Sequence, residues 1–372
     1  MPDELTIPAE LLPRDGRFGS GPSKVRAEQV EAVVAANPGV LGTSHRQAPV
    51  KNLVADVRRM LAELYSLPEG YEVLLGNGGS TLFWDAAVFS LIETRSQHCV
   101  FGEFGGKFAQ AAADAPHLAD PSVLEAPGGS LALPKAEEGI DVYAWPHNET
   151  STGVAAPVTR PAGSGDALVV VDGTSAAGGI ELDASQTDVY YFAPQKSFAA
   201  DGGIWFALVS PAAVERIERI AASGRYVPQT LDLAVALENS RADQTLNTPA
   251  VATLLLMRAQ LEWMLAGGGL AAMAARSRTS TGLLYEWAEA SDFATPFVAV
   301  PEQRSPVVAT LDLVDEVDSA RLQKVLRANG IVDVFPYRKL GRNQLRVGCF
   351  PAVDPDDVRK LIASIEWVVD HW

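Results

Sequence analysis

Three short stretches of this chain carry polar residues that an α/β scaffold does not need in order to fold. The first is Ala193-Pro194-Gln195-Lys196-Ser197-Phe198-Ala199-Ala200-Asp201-Gly202-Gly203, a single lysine just past an apolar run. A surface lysine would look the same. A desolvated lysine there loses its proton readily and becomes a nucleophile toward an aldehyde, the chemistry of a Schiff base. The second stretch, Val169-Val170-Val171-Asp172-Gly173-Thr174-Ser175, ends an apolar run on an acid. Open α/β sheets bind ligands at such strand ends, although an aspartate there also serves as an ordinary turn residue. Only one further strand candidate, residues 189–192, lies between the two, so Asp172 and Lys196 can line one crevice. An aspartate beside a Schiff-base lysine is what pyridoxal phosphate chemistry asks for, because the carboxylate keeps the pyridine nitrogen protonated and deepens the electron sink. The third stretch is Gly78-Gly79-Ser80-Thr81 between a strand and a helix, where loop amides and hydroxyls cradle a phosphate. Alone it is equally a bare β-to-α turn. It is neither a Walker loop nor a dinucleotide fingerprint.

The elements that must position these residues follow from hydrophobic spacing. Apolar residues at helical intervals predict a helix over 52–65, stopped by Pro68-Glu69-Gly70. A strand at 72–75 runs through the glycine loop into a helix over 82–92, and further short apolar strands are predicted at 100–101, 167–171, 189–192 and 204–209. Alternating strands and helices imply an α/β architecture with a mostly parallel sheet. Thr248 as cap and Pro249 as first residue open a helix that Gly267-Gly268-Gly269 closes. Beyond it the spacing predicts a helix over 270–290, strands at 307–313, 331–335 and 345–350, a helix over 319–328, and a last helix capped by Asp354. The organisation is therefore an N-terminal segment 1–22, a large domain 23–268 and a smaller α+β domain 269–372.

Composition narrows the class. With 372 residues, 47% hydrophobic, the chain has ample core for about two domains. The balance of 30 basic against 46 acidic side chains, net −16, disfavours nucleic acid and anionic membranes as partners. Cys99 and Cys349 sit in apolar runs without a CxxC spacing, as reduced, buried thiols do, and the five histidines show no metal-ligand spacing, so no metal is expected. The start Met1-Pro2-Asp3-Glu4-Leu5 lacks the pattern of an export signal, which together with the cysteines points to the cytoplasm.

Over essentially its whole length the chain resembles the phosphoserine aminotransferase family, actinobacterial type, within the fold-type I pyridoxal-phosphate enzymes of class V. The resemblance rests on Phe18-Gly19-Ser20-Gly21-Pro22-Ser23, Thr43-Ser44-His45-Arg46, Gly78-Gly79-Ser80-Thr81, Gln195-Lys196 and Thr245-Leu246-Asn247-Thr248-Pro249. It implies pyridoxal 5'-phosphate held covalently by Lys196, with Asp172 on the ring nitrogen. Ser80 and Thr81 would hold the cofactor phosphate, with Asn247 and Thr248 reaching across from the second subunit of a homodimer. Thr150 and Gln195 would contact the ring region. Phe104 would stack on the ring where many family members have tryptophan; Phe101 is the competing candidate, and core packing the plain reading of either.

The implied activity is reversible, ping-pong amino transfer between L-glutamate and 3-phosphohydroxypyruvate, giving O-phospho-L-serine and 2-oxoglutarate for serine synthesis, and possible service to pyridoxine synthesis. Both substrate pairs are di-anionic, which calls for fixed cations, and arginine's planar fork suits carboxylate and phosphate. Residues 335–346 hold Arg338, Lys339, Arg342 and Arg346 and no acid, a local reversal of the chain's charge that is otherwise a solvated basic turn. By resemblance Arg346 binds the substrate α-carboxylate, and Ser20, His45, Arg46, Arg338 and Arg342 complete the substrate site. The family often has a His-Arg pair where this chain has Tyr337-Arg338, which weakens the case for Arg338. Rival readings are an alanine–glyoxylate type aminotransferase, a cysteine desulfurase relative, and a nucleotide-binding module without a covalent cofactor.

Overall fold

Short apolar runs without alternation become strands covered on both faces, and the sheet at the heart of the molecule is built from them. In the computed structural model, which describes residues 5–372, the strands are β1 (Glu72–Asn77), β2 (Ser96–Val100), β3 (Ser122–Glu125), β4 (Val142–Pro146), β5 (Asn148–Glu149), β6 (Val154–Ala155), β7 (Leu168–Asp172), β8 (Val189–Phe192), β9 (Ile204–Val209), β10 (Ala294–Pro296), β11 (Val308–Leu313) and β12 (Gln344–Gly348). The start of the N-terminal segment, on which the absence of an export signal was read, includes residues 1–4, and these lie outside the described residues. The helices are α1 (Ala27–Ala35), α2 (Ala48–Leu64), α3 (Ser80–Ser90), α4 (Glu103–Ala113), α5 (Pro211–Ala222), α6 (Leu233–Arg241), α7 (Val251–Ala266), α8 (Gly269–Ala290), α9 (Ser319–Ala328) and α10 (Pro355–Asp370).

The large sheet has the order β1-β9-β8-β7-β4-β2-β3. Its pairs from β8 to β3 are parallel, and only β9 runs against both its neighbours. Alternate side chains feed opposite layers. Val169, Val171, Tyr190 and Phe192 pack with α2 and α7, whereas Leu168, Val170, Val189 and Tyr191 pack with α3, α4, α5 and α6. A second, antiparallel sheet, β10-β11-β12, shares a core with α8, α9 and α10. Ile7 and Phe18 belong to that core, so residues 7–18 run along the C-terminal unit, and Ser23 beyond them meets the turn after β8. No helix among the described residues is long and apolar enough to cross a membrane.

Two sequence expectations change. The helix after Thr248 begins at Val251, and its cap is Ala250, which has no side-chain acceptor, while the Thr248 hydroxyl lies 3.1 Å from His45 Nδ1. Residues 331–335 form no strand; a single bridge joins Val332 to Arg17, and Asp333, at φ 65°, breaks the extended run. By contrast α10 starts as read, with the Asp354 carboxylate accepting from Asp356 N and Pro355 first.

Candidate active site

Strand ends and the turns after them place the polar groups. Asp172 closes β7, and its Oδ1 accepts a 2.8 Å hydrogen bond from Thr174 N. The next strand, β8, runs parallel beside it and leads into the turn that carries Lys196. That turn is fixed from outside. Ser23 N donates to Gln195 O at 2.8 Å and Ser23 Oγ to Lys196 O at 2.5 Å, while Gln29 Nε2 donates to Ala199 O and Leu256 O, each at 3.0 Å. Ala199 holds φ at 50°, a left-handed value that an alanine keeps only where its surroundings impose it. Gly21, at φ 134°, lies so close that a Cβ there would sit 2.7 Å from Lys196 Cε.

Lys196 is 7% exposed, and its Nζ donates to Thr150 Oγ1 at 2.6 Å. Burial, opposed by Asp172 and reinforced by Arg346, pushes its pKa down from 10.5 to about 8. A substantial fraction of the amine is therefore neutral near physiological pH. Between pH 8 and 10.5 the unfolded chain binds more protons at this residue than the folded one, so its destabilising effect is full below pH 8 and fades as pH rises. Urea unfolding of the cofactor-free chain should show a gain of about 2 kcal/mol between pH 8 and about pH 10 that Lys196→Met lacks. A gain equal in both proteins would place the depressed lysine elsewhere.

The cavity around these groups has a volume of about 480 Å³. One wall is the start of α3, where Gly79, Ser80 and Thr81 line the space and Ser80 Oγ lies 2.6 Å from Thr174 Oγ1. The α3 cap is Gly79, which supplies no side-chain acceptor, and a Cβ on it would meet nothing within 4 Å. The first-turn amides thus open onto the cavity as an anion cradle. The opposite wall is Phe104, whose ring centroid is 5.2 Å from Lys196 Nζ and 6.0 Å from that of Tyr337. Phe101 is 0% exposed and belongs to the core, so of the two phenylalanines only Phe104 lines the cavity.

Arg346 projects from β12, is 7% exposed, and donates through Nη1 to Thr150 O at 3.2 Å. Its guanidinium lies 5.3 Å from the Tyr337 ring centroid, and burial lowers its pKa to about 10. Its Nε is buried without a hydrogen-bond partner, and so are Gln195 Oε1 and Asn148 Oδ1. All three residues line the cavity. Buried polar atoms left without partners cost free energy, and three of those found among the described residues belong to side chains that line the cavity.

The sequence profile of the aminotransferase class-V family matches residues 27–333. The chain is 60% identical over 371 residues to the putative phosphoserine aminotransferase of Mycobacterium avium (strain 104), covering 100% of this chain and 99% of that one. It is 59% identical over 373 residues to the phosphoserine aminotransferase of Nocardioides sp. (strain ATCC BAA-499 / JS614), covering 100% of both. The chain belongs to the class-V aminotransferases, in the phosphoserine aminotransferase family. Its fold is similar to that of the solved phosphoserine aminotransferase of Cytophaga hutchinsonii, at TM-score 0.87 and 22% identity, over 95% of this chain and 99% of that one.

Class-V aminotransferases use pyridoxal 5'-phosphate, and the cavity fits that group. It offers an open helix N-terminus for a phosphate, a buried carboxylate on one side, a partly neutral lysine on the other and an aromatic wall. Of the residues read from sequence, Ser20, Ser80, Thr81, Phe104, Thr150, Asp172, Gln195, Lys196 and Arg346 all line it. Gly348 helps to bring Arg346 and Ser20 together: a Cβ on it would come within 2.4 Å of Gly19 O, so the N-terminal segment and β12 meet backbone to backbone.

Three arginines read as substrate ligands are not in the cavity wall: Arg342, Arg338 and Arg46. Arg342 is paired with Asp312, at 3.0 Å from Nε and 2.5 Å from Nη2, and lies 4.6 Å over the Phe297 ring. The antiparallel neighbour β11 supplies that carboxylate and draws the guanidinium away. Arg338 is exposed in a single 3-10 turn. His45, Arg46, Asn247 and Thr248 do cluster, but on the surface: Thr248 Oγ1 is 3.1 Å from His45 Nδ1, and Arg46 Nη1 donates to Gln244 Oε1 at 2.7 Å. None of the four lines the cavity of its own chain.

Sequence reading passed over Trp84, Thr174 and Tyr337 as lining residues. Trp84 sits in a helix whose apolar residues are spread all round, so no polar signal distinguishes it. Thr174 had a usable signal, as the residue two beyond a strand-end aspartate, where its amide reaches the carboxylate.

Proposed function

We propose that this chain catalyses reversible amino transfer between L-glutamate and 3-phosphohydroxypyruvate, giving O-phospho-L-serine and 2-oxoglutarate. The observation that carries this reading is the buried Arg346, with an unpartnered Nε, beside a lysine whose pKa is lowered to about 8. Full-length identity of 60% to a relative of that name supports the choice of phosphorylated substrate. Bound pyridoxal phosphate supplies an aldehyde for the amine and a conjugated ring that takes up the electron pair left when the α-proton departs. The chain's own residues do the rest. Asp172, at the end of β7, would pair with the ring nitrogen and help it keep a proton. The α3 N-terminus with Ser80 and Thr81 anchors the phosphate. Arg346 takes the α-carboxylate common to every substrate and fixes which face of the α-carbon meets Lys196. Lys196, held by Thr150, then collects the α-proton as a neutral amine and returns it one atom further along, a step that needs a base of matched pKa.

In the same reading residues 23–268 form the cofactor-binding domain and residues 269–372 a smaller domain that brings Arg346 to it. The enzyme works as a cytoplasmic homodimer. His45, Arg46, Asn247 and Thr248 lie together on one surface and largely exposed, suited to complete a neighbour's cavity with cationic and hydroxyl groups. These groups would hold the cofactor phosphate and the substrate's distal anion, a task for which one chain's cavity supplies few cations.

Half-reactions test the substrate. Glutamate and phosphoserine should each convert the bound cofactor to its amine form, followed by loss of the visible band, whereas alanine and serine should do so at least about a hundredfold less efficiently, since neither presents a second anion. Alanine matching phosphoserine would instead favour the alanine–glyoxylate type activity.

A further inference from the structure

The cavity's aromatic wall stands on α4, and that helix begins without a cap of its own. Its cap residue is Gly102, which has no side chain to accept from the first-turn amides. The acceptors come instead from the end of β5 and the turn after it. Glu149 Oε2 accepts from Phe104 N and Gly105 N, both at 3.0 Å, and Ser151 Oγ accepts from Glu103 N at 3.0 Å. Glu149 Oε1 in turn accepts from Ser151 Oγ at 2.6 Å and from Ser151 N at 3.1 Å. The Glu149 side chain occupies the space a side chain on Gly102 would need: a Cβ there would stand 2.3 Å from Glu149 Cγ.

Glu149 is 0% exposed, which for an acid costs several kcal/mol unless donors surround it. Here both oxygens accept two bonds each, and all four donors are N–H or O–H groups. This is the pattern of an ionised carboxylate set against a helix N-terminus, where the dipole favours it. Burial holds its carboxyl above the ordinary carboxylate range, a rise that these donors reduce and the charge of Asp172 adds to.

The residue between the two caps faces the other way. Thr150 Oγ1 accepts from Lys196 Nζ at 2.6 Å, and Thr150 O accepts from Arg346 Nη1 at 3.2 Å. One three-residue turn therefore holds the lysine and the arginine with its middle residue, and the start of α4 with its outer two. That first turn also carries the Glu103 side chain, which pairs with Lys339 from the 335–343 segment.

We propose that Glu149, assisted by Ser151, is a positioning residue for this aminotransferase: a cap lent to α4 that sets the stance of Phe104 relative to Lys196. The inference rests on the proposed cofactor chemistry for its consequence, though the cap itself does not.

The experiment has two arms. In the cofactor-free chain, Glu149→Gln leaves the Phe104 and Gly105 amides facing either an amide donor or a neutral oxygen, and both are poorer partners than the carboxylate. Hydrogen exchange at the Phe104 and Gly105 amides should then quicken by about tenfold or more, with little change in the sheet. In the holoenzyme the same variant should change the visible circular dichroism of the cofactor in the sense that Phe104→Leu changes it. The double variant should match Phe104→Leu, because the carboxylate acts through that ring. Ser151→Ala should move both readouts in the same direction by less, and decides the matter if Glu149→Gln does not fold. Unchanged exchange at residues 104 and 105 in a folded variant would overturn the proposal, and so would a dichroism effect that adds in full to that of Phe104→Leu. A chain that took up no cofactor would contradict the proposed function, and the exchange arm would still read the cap.

Discussion

Lys196→Ala is expected to lower turnover by at least about a thousandfold while leaving the protein folded. Two losses combine: the covalent attachment of the cofactor, and a base held within reach of the α-carbon. Alanine leaves the turn's backbone contacts to Ser23 intact, because Ser23 bonds to the main-chain oxygens of Gln195 and Lys196 rather than to the side chain. Lys196→Arg should be nearly as inactive. A guanidinium keeps its charge throughout the working range, so it can neither attack the aldehyde nor collect a proton. Steady-state turnover of both variants, beside their cofactor content, checks this. An arginine variant with substantial turnover would show that position 196 supplies only positive charge.

Arg346→Ala should reduce kcat/KM by about a hundredfold or more in both half-reactions, through binding of amino acid and keto acid alike. The side chain is buried with Nε unpartnered, and its removal strips the cavity of its one buried arginine fork among the described residues. Arg346→Lys should recover little, since an ammonium cannot reproduce a two-point grip. Arg342→Ala provides the contrast. That guanidinium is spent on Asp312 and Phe297, so kcat/KM should stay within about threefold of the parent. Comparable losses in both variants would move the carboxylate site away from β12.

How much of this was legible in the sequence depended on the range of the interaction. β8 and β9 have the bounds that their apolar runs predicted, and β7 differs by one residue at each end. Asp172 and Lys196 could be read because strand-end positions in a parallel sheet converge on one edge regardless of packing detail. β4 is absent from the predicted strands although all five of its residues are buried. Of the four cations in the basic run at 335–346, one lines the cavity. Arg346 turns into the cavity, Arg342 is claimed by an acid 30 residues earlier in the chain, Lys339 by Glu103, and Arg338 lies exposed. A charge count cannot tell these apart, since the partner sits on another element. Glu149 was invisible for the same reason, its two α4 donors lying 44 and 45 residues before it.

The central claim is that Lys196 is the residue that binds the cofactor, and chemical trapping tests it most directly. The purified, pyridoxal-phosphate-loaded protein is reduced with borohydride, digested and mapped by mass spectrometry. The account predicts that the visible band disappears and that the phosphopyridoxyl mass is found on the peptide carrying Lys196. Label on another lysine, or none with the band intact, would contradict it.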